Sequence, residues 1–173
     1  FKMAYENGYH NATDKNVLYK ISQAKEHIAH WKKHGYPTGE FIGIKEFEGV
    51  NDDVKWHLRK KELTVVTGVP NSGKSEFLNF MAYKAAVNLG YKTLFFSFED
   101  NLDKHIESFI NRHSSKRLKD RTEIEESISE AFVQDHFYFY NHTQRSSKLE
   151  EIIVVCRKVK EEKGLDIIVI DPF

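Results

Sequence analysis

Eight residues, Gly68-Val69-Pro70-Asn71-Ser72-Gly73-Lys74-Ser75, limit what this chain can become more than any other stretch of it. They stand between a run of strand formers, ELTVV at 62–66, and a helix-like run, EFLNFMAYKAAVNL at 76–89. The spacing G-x-x-x-x-G-K-[ST] describes a loop whose glycines let successive backbone N–H groups curl around phosphate oxygens, while the helix that follows adds the positive end of its dipole. With glycine at about 7% of residues, the four fixed positions coincide by chance in roughly one chain in a hundred of this size or fewer. A strand before the loop and a helix after it are the context the motif requires, so the same residues predict an α/β fold along with a phosphate ligand.

The rest of the chain keeps that alternation. Residues 1–12 show no period and read as a tail. From Asp14 the apolar positions Val17, Ile21, Ala24, Ile28 and Trp31 step by four, three, four and three, one face of a helix that should stop near Gly35 and Pro37. Residues 38–60 mix short apolar stretches with turn formers and read as irregular structure leading into the core. ELTVV is expected as a buried strand, the helix after the loop is closed by Gly90, and KTLFFSF at 92–98 is a second strand. A helix over Asn101 to His113 follows, for which Asp100 is a candidate cap. Thr122 with Glu125 has capping-box spacing ahead of Ile124, Ile128 and Phe132, and Ser147 with Glu150 repeats it ahead of Leu149, Ile152, Ile153, Cys156 and Val159. Between those helices lies HFYFY at 136–140, and after Gly164 comes DIIVID, giving a third and a fourth strand. Strands rich in Val, Ile and Phe separated by helices predict a mainly parallel sheet covered on both faces.

Composition excludes several classes. At 173 residues the chain can bury a continuous core without disulfides, and its single cysteine, Cys156, rules out a disulfide framework or a Cys-x-x-Cys metal cluster. Lys and Arg number 26 and so do Asp and Glu, so no global positive field draws the chain to nucleic acid or anionic lipid, and any DNA contact must be local or lie outside this chain. The apolar runs are strand-sized, well below the roughly 20 residues of a membrane span, so a soluble, cytosolic protein is expected. Both ends read as cut: the first residue is Phe1, and the last, Phe173, directly follows a strong strand pattern.

Within the loop, Lys74 is placed to reach the β and γ phosphates and the Ser75 hydroxyl to ligate Mg²⁺, with the phosphate contacts running from Gly68 through Val69, Pro70, Asn71, Ser72 and Gly73 to Glu76. Asp171 ends an apolar strand, where a carboxylate orients Mg²⁺ and its waters. Glu99, in FFSFED, lies at the end of the strand after the loop helix, in reach of the γ-phosphate side, where a carboxylate activates a water. A kinase-like transfer must exclude that water, whereas a hydrolase needs it.

The run ELTVVTGVPNSGKSEFLNFMAYKAAVNLGYKTLFFSFED, with LEEIIVVCRKVKEEKGLDIIVIDPF, resembles the RecA-like motor domain of the hexameric, DnaB-type replicative helicases. Within these it is most similar to the phage primase-helicases and the Twinkle type, on the run ELTVVTG, the strand ending in Ser-x-Glu, and the strand ending in Asp-Pro-aromatic. The likeness covers residues 38–173, leaving 1–37 as tail and linker helix. It implies a RecA-like P-loop ATPase with ATP and Mg²⁺ as cofactors. Lys74 and Ser75 would act on phosphate and metal, Glu99 as the base that polarises the attacking water, and Asp171 on the metal through water. It further implies a hexameric homo-oligomer moving 5′ to 3′ on single-stranded DNA, a fused or associated primase, and a bacterial or phage origin with cytoplasmic location. Where relatives commonly have Pro-Gly before the first strand, this chain has Arg59-Lys60-Lys61, which alters a turn and no catalytic atom. The family's sensor residue, DNA-binding loops and arginine finger would follow residue 173. Residues 1–173 alone are therefore expected to bind nucleotide with little hydrolysis and no unwinding.

Other readings stay open at this level. They are a recombinase or clock-type RecA ATPase, a P-loop small-molecule kinase with a lid, and a nucleotide-gated binding module without turnover. The helix at 14–34 suits either a neighbouring subunit or its own core. In SSKRLKDR, Lys116, Arg117, Lys119 and Arg121 read first as a solvated turn and second as a contact to DNA or a neighbour. His105, His113, His136 and His142 lack metal-ligand spacing and read as surface or structural, and HFYFY reads as a sheet strand before a base-stacking platform.

Overall fold

The structure is a computed structural model that describes residues 21–34, 39–44, 57–98, 101–141 and 148–171. The chain divides into two compact units, residues 1–39 and 40–173. In the first, helix α1 runs Ile21–His34 and carries Lys32 and Lys33 in its last turn, cations that suit the negative end of a helix dipole. Ile28 and Trp31 of the predicted stripe are half-buried and Ile21 is exposed; Val17 and Gly35 lie outside the described residues.

The second unit is an α/β layer structure. Its sheet has three strands, β1 (Thr93–Ser97), β2 (Phe137–Phe139) and β3 (Ile167–Asp171), all parallel, in the order β2-β1-β3. Every residue of β1 is buried, because a central strand has a neighbour on each edge and a helical layer over each face. Side-chain alternation sorts the core. Phe95, Phe137 and Val169 join Ala82 and Ala86 of α2 (Lys74–Leu89), Phe109 and Ile110 of α3 (Leu102–Ser114) and Val133 of α4 (Glu123–His136) on one face. Leu94 and Phe96 pack with Ile152 and Cys156 of α5 (Leu149–Lys163) on the other, with Tyr138 and Ile170 beside them. Burial raises the Cys156 thiol pKa above its ordinary value, which keeps it an apolar filler. A third cluster sets Ile42 and Ile44 against Met81 and Ala85, so α2 is apolar around much of its circumference. The approach is anchored by a bridge between Glu40 and Leu58 and by the Asn88 amide, which donates to the Ile42 carbonyl at 2.6 Å.

Local signals placed most helix ends as expected. Gly90 closes α2 in the left-handed conformation, its N–H returning to the carbonyls of Ala85 and Ala86. Both reciprocal bonds of the Thr122–Glu125 capping box form at α4.

Five expectations are corrected. ELTVV joins no strand: 62–68 has no ladder partner among the described residues, and Leu63 and Val65 are 89% and 71% exposed. Strand propensity without a hydrogen-bonding neighbour leaves a segment merely extended. The third strand is three residues long instead of HFYFY, because α4 continues to His136, whose Nδ1 donates to the Phe132 carbonyl at 2.9 Å. The α3 cap is Asn101, whose side chain accepts from the Lys104 N–H. The α5 cap is Lys148, with no side-chain cap bond, one position later than the spacing of Ser147 and Glu150 implies; Ser147 itself lies outside the described residues. The stripe on α4 also turns differently, since Ile124 and Ile128 are exposed and Ser129 and Val133 face the core.

Candidate functional site

The loop from Gly68 enters α2 at Lys74 through two left-handed residues, Asn71 (φ 60°) and Gly73 (φ 83°). Asparagine tolerates that region and glycine is free in it. Gly73 occupies the N-cap and supplies no side-chain acceptor, so the first N–H groups of α2 are left for a ligand in place of a cap. Gly68 is a cradle position: a Cβ there would lie 2.9 Å from Ser72 Oγ. The Lys74 ammonium donates to the carbonyls of Gly68 (3.1 Å) and Val69 (3.0 Å), which holds its charge over the loop. Ser75 is half-buried in the first turn, and Glu76 beside it is ion-paired with Arg112 of α3.

Topology carries this loop to one edge of the sheet. The C-terminal end of α2 turns at Gly90 directly into the start of β1, so its N-terminal end lies toward the opposite edge, where parallel strands finish. There Ser97 pairs in register with Asp171, and the Phe98 N–H donates to the Asp171 carbonyl at 3.0 Å. Asp171 is half-buried at the last position of β3. Glu99 lies outside the described residues, two positions after Ser97. The Ser75 hydroxyl and the Asp171 carboxylate are each hard oxygen donors, the type Mg²⁺ accepts when it keeps waters and takes the remaining oxygens from phosphate. Among the described residues no group of three or more His, Cys, Asp or Glu side chains forms a metal cluster.

A buried polar group escaped the sequence reading. Asn79, Ser97 and His105 are 8%, 4% and 5% exposed, and His105, read as surface or structural, bonds to both of the others. The signal was present: Asn79 interrupts the apolar run EFLNFMA, and His105 lies on the inward face of α3 with Phe109. His113 and His136 stack on the two sides of Phe132, with centroids 4.2 Å and 4.5 Å away. Burial, with His136 nearby, lowers the His113 pKa. His142 lies outside the described residues.

The basic turn divides by role. Lys116 bonds Glu125 at 2.6 Å, and the fully buried Arg121 side chain bonds Glu107 at 2.6 Å with Glu126 at 3.9 Å, so two of the four cations clasp α3 to α4. Arg117 and Lys119 are exposed.

A glycine-bent loop opening a helix at the C-terminal edge of a parallel sheet defines an α/β protein of the P-loop class. Residues 46–173 match the DnaB-like helicase C-terminal domain, and the chain belongs to that family, whose fold is RecA-like. The chain is also similar to the Twinkle homolog protein, chloroplastic/mitochondrial, of Arabidopsis thaliana, with 27% identity over 152 residues, covering 82% of this chain and 21% of that relative. It thus spans about a fifth of the length of the curated relative it matches. Among the described residues no helix is long and apolar enough to cross a membrane.

Proposed function

We propose that this chain is the ATP-binding part of an ATP-dependent replicative DNA helicase, a ring-forming motor that moves along single-stranded DNA. The observation that carries the reading is the phosphate-binding loop at the start of α2, in a chain whose residues 46–173 belong to the DnaB-like helicase C-terminal domain. ATP phosphates lie against the backbone N–H groups of residues 68–76, Pro70 excepted, and Lys74 exchanges the carbonyls of Gly68 and Val69 for the β and γ oxygens. Ser75 would hold Mg²⁺ and Asp171 would orient its waters, and the ion would supply positive charge beside the phosphate oxygens. Glu99 accepts a proton from the water whose oxygen attacks the γ phosphorus, the bond to the β-phosphate oxygen breaks, and ADP leaves with that electron pair. Residues 1–37 serve as tail and linker helix to 38–173, the assembly is a hexamer working 5′ to 3′, and a primase is fused or associated. A bacterial or phage origin and a cytoplasmic place follow the same reading.

The test is ATP hydrolysis by the full gene product that contains these residues, with and without single-stranded DNA, beside Glu99→Gln. DNA-stimulated turnover that disappears in the variant while ATP binding survives is expected. Turnover indifferent to DNA, or phosphate passed to a small acceptor, moves the function to another P-loop class.

A further inference from the structure

The buried group of Asn79, His105 and Ser97 has a direction. His105 Nε2 is 3.0 Å from Asn79 Oδ1, and His105 Nδ1 is 3.4 Å from Ser97 Oγ. An amide oxygen only accepts, so Nε2 is the donor in the first bond, and the other ring nitrogen meets the Ser97 hydroxyl. Rings of Phe95, Phe139 and Phe109 surround the imidazole at centroid distances of 5.0, 5.0 and 5.5 Å, which keeps water from competing for either bond. A leucine would pack in such an aromatic setting without the cost of burying polar atoms.

Its two ends explain what the polarity does. Asn79 lies one helical turn after Ser75 on α2, so it moves with the phosphate loop. Ser97 pairs with Asp171 and precedes Glu99 by two residues. Apolar burial between α2 and the sheet is non-directional, whereas two hydrogen bonds through one ring fix distance and angle. We propose that His105 is a positioning residue for ATP hydrolysis, holding the phosphate-loop helix in fixed register with the strand ends at Ser97 and Asp171. This rests on the nucleotide-site reading above.

The test uses the full gene product and compares wild type with His105→Leu, His105→Gln, Asn79→Ala and the double variant Asn79→Ala/His105→Leu. Loss of register lowers kcat for His105→Leu by roughly 10- to 100-fold with ATP affinity nearly unchanged, as when groups that orient a site are removed. His105→Gln, which keeps a donor and an acceptor, recovers most of the rate, and the double variant is no slower than His105→Leu alone. A second readout does not depend on turnover: a nonhydrolysable ATP analogue protects the amides of Ser97 and Phe98 from hydrogen exchange in wild type but not in His105→Leu. His105→Leu that hydrolyses at the wild-type rate and keeps that protection overturns the proposal, as does a rate loss that His105→Gln does not recover. A wild type that binds ATP without hydrolysing it sinks the motor reading, and the exchange comparison then decides the link by itself.

Discussion

Single residues decide whether the loop can hold an anion. Gly73 has a φ of 83° and open space where a Cβ would point, so alanine there meets backbone strain alone. Gly73→Ala is expected to cost about 1 kcal/mol of stability and to weaken ATP binding, read by thermal melting and by titration with a fluorescent ATP analogue. Gly68→Ala acts differently, since its methyl group drives Ser72 Oγ from the loop; nucleotide affinity should fall with little change in melting. Lys74→Ala removes the cation that bridges Gly68 and Val69 and should abolish ATP binding while the fold persists. These positions were legible from the bare sequence, because the loop's chemistry is written in neighbouring residues. Strand patterns predicted positions for Glu99 and Asp171; Asp171 stands at the predicted strand end, in register with Ser97, and Glu99 lies outside the described residues. His105 was not legible, because the inward direction of its side chain depends on the packing of three elements.

At the scale of elements, charge and capping add to the apolar packing of α3 and α4. Thr122→Ala removes the hydroxyl that accepts the Glu125 N–H at 3.3 Å and should cost about 1 kcal/mol in chemical denaturation. Glu125 bonds Lys116 first, then Thr122, and these hold its pKa down to about 2. A depressed folded pKa means that the unfolded chain binds the proton more readily, so this contribution is present above about pH 4.5 and is lost as pH falls toward 2. Lys116→Ala should reduce the acid sensitivity of melting in that window. His113, its pKa lowered by burial beside Phe132, acts nearer neutrality: stability should decline as pH drops below about 6.5, and His113→Gln should flatten that decline. Capping boxes were readable because they need only four consecutive residues. The outward turn of Ile124 and Ile128 was not, since a 3.6-residue period gives a helix's apolar face but not the side on which a core will lie.

Across the whole molecule, stability centres on β1, the strand that both helical layers share. Phe95, 1% exposed, touches the rings of His105, Phe109, Phe137 and Phe139, and Phe95→Ala should cost about 3–5 kcal/mol, measured by urea denaturation. Alternating strand and helix patterns identified the α/β class, the parallel sheet and its two covered faces from residues alone. They did so because local periodicity and punctuation such as Gly90 and Gly164 act within a few residues of themselves. Pairing acts over longer distances. ELTVV has every local property of a strand and joins no ladder among the described residues, while FYF becomes a strand because Thr93, Leu94 and Phe95 stand beside it. Backbone donors and acceptors are satisfied between segments far apart in the chain, so which strand formers enter the sheet, and which polar side chains meet inside it, is decided by the assembled core.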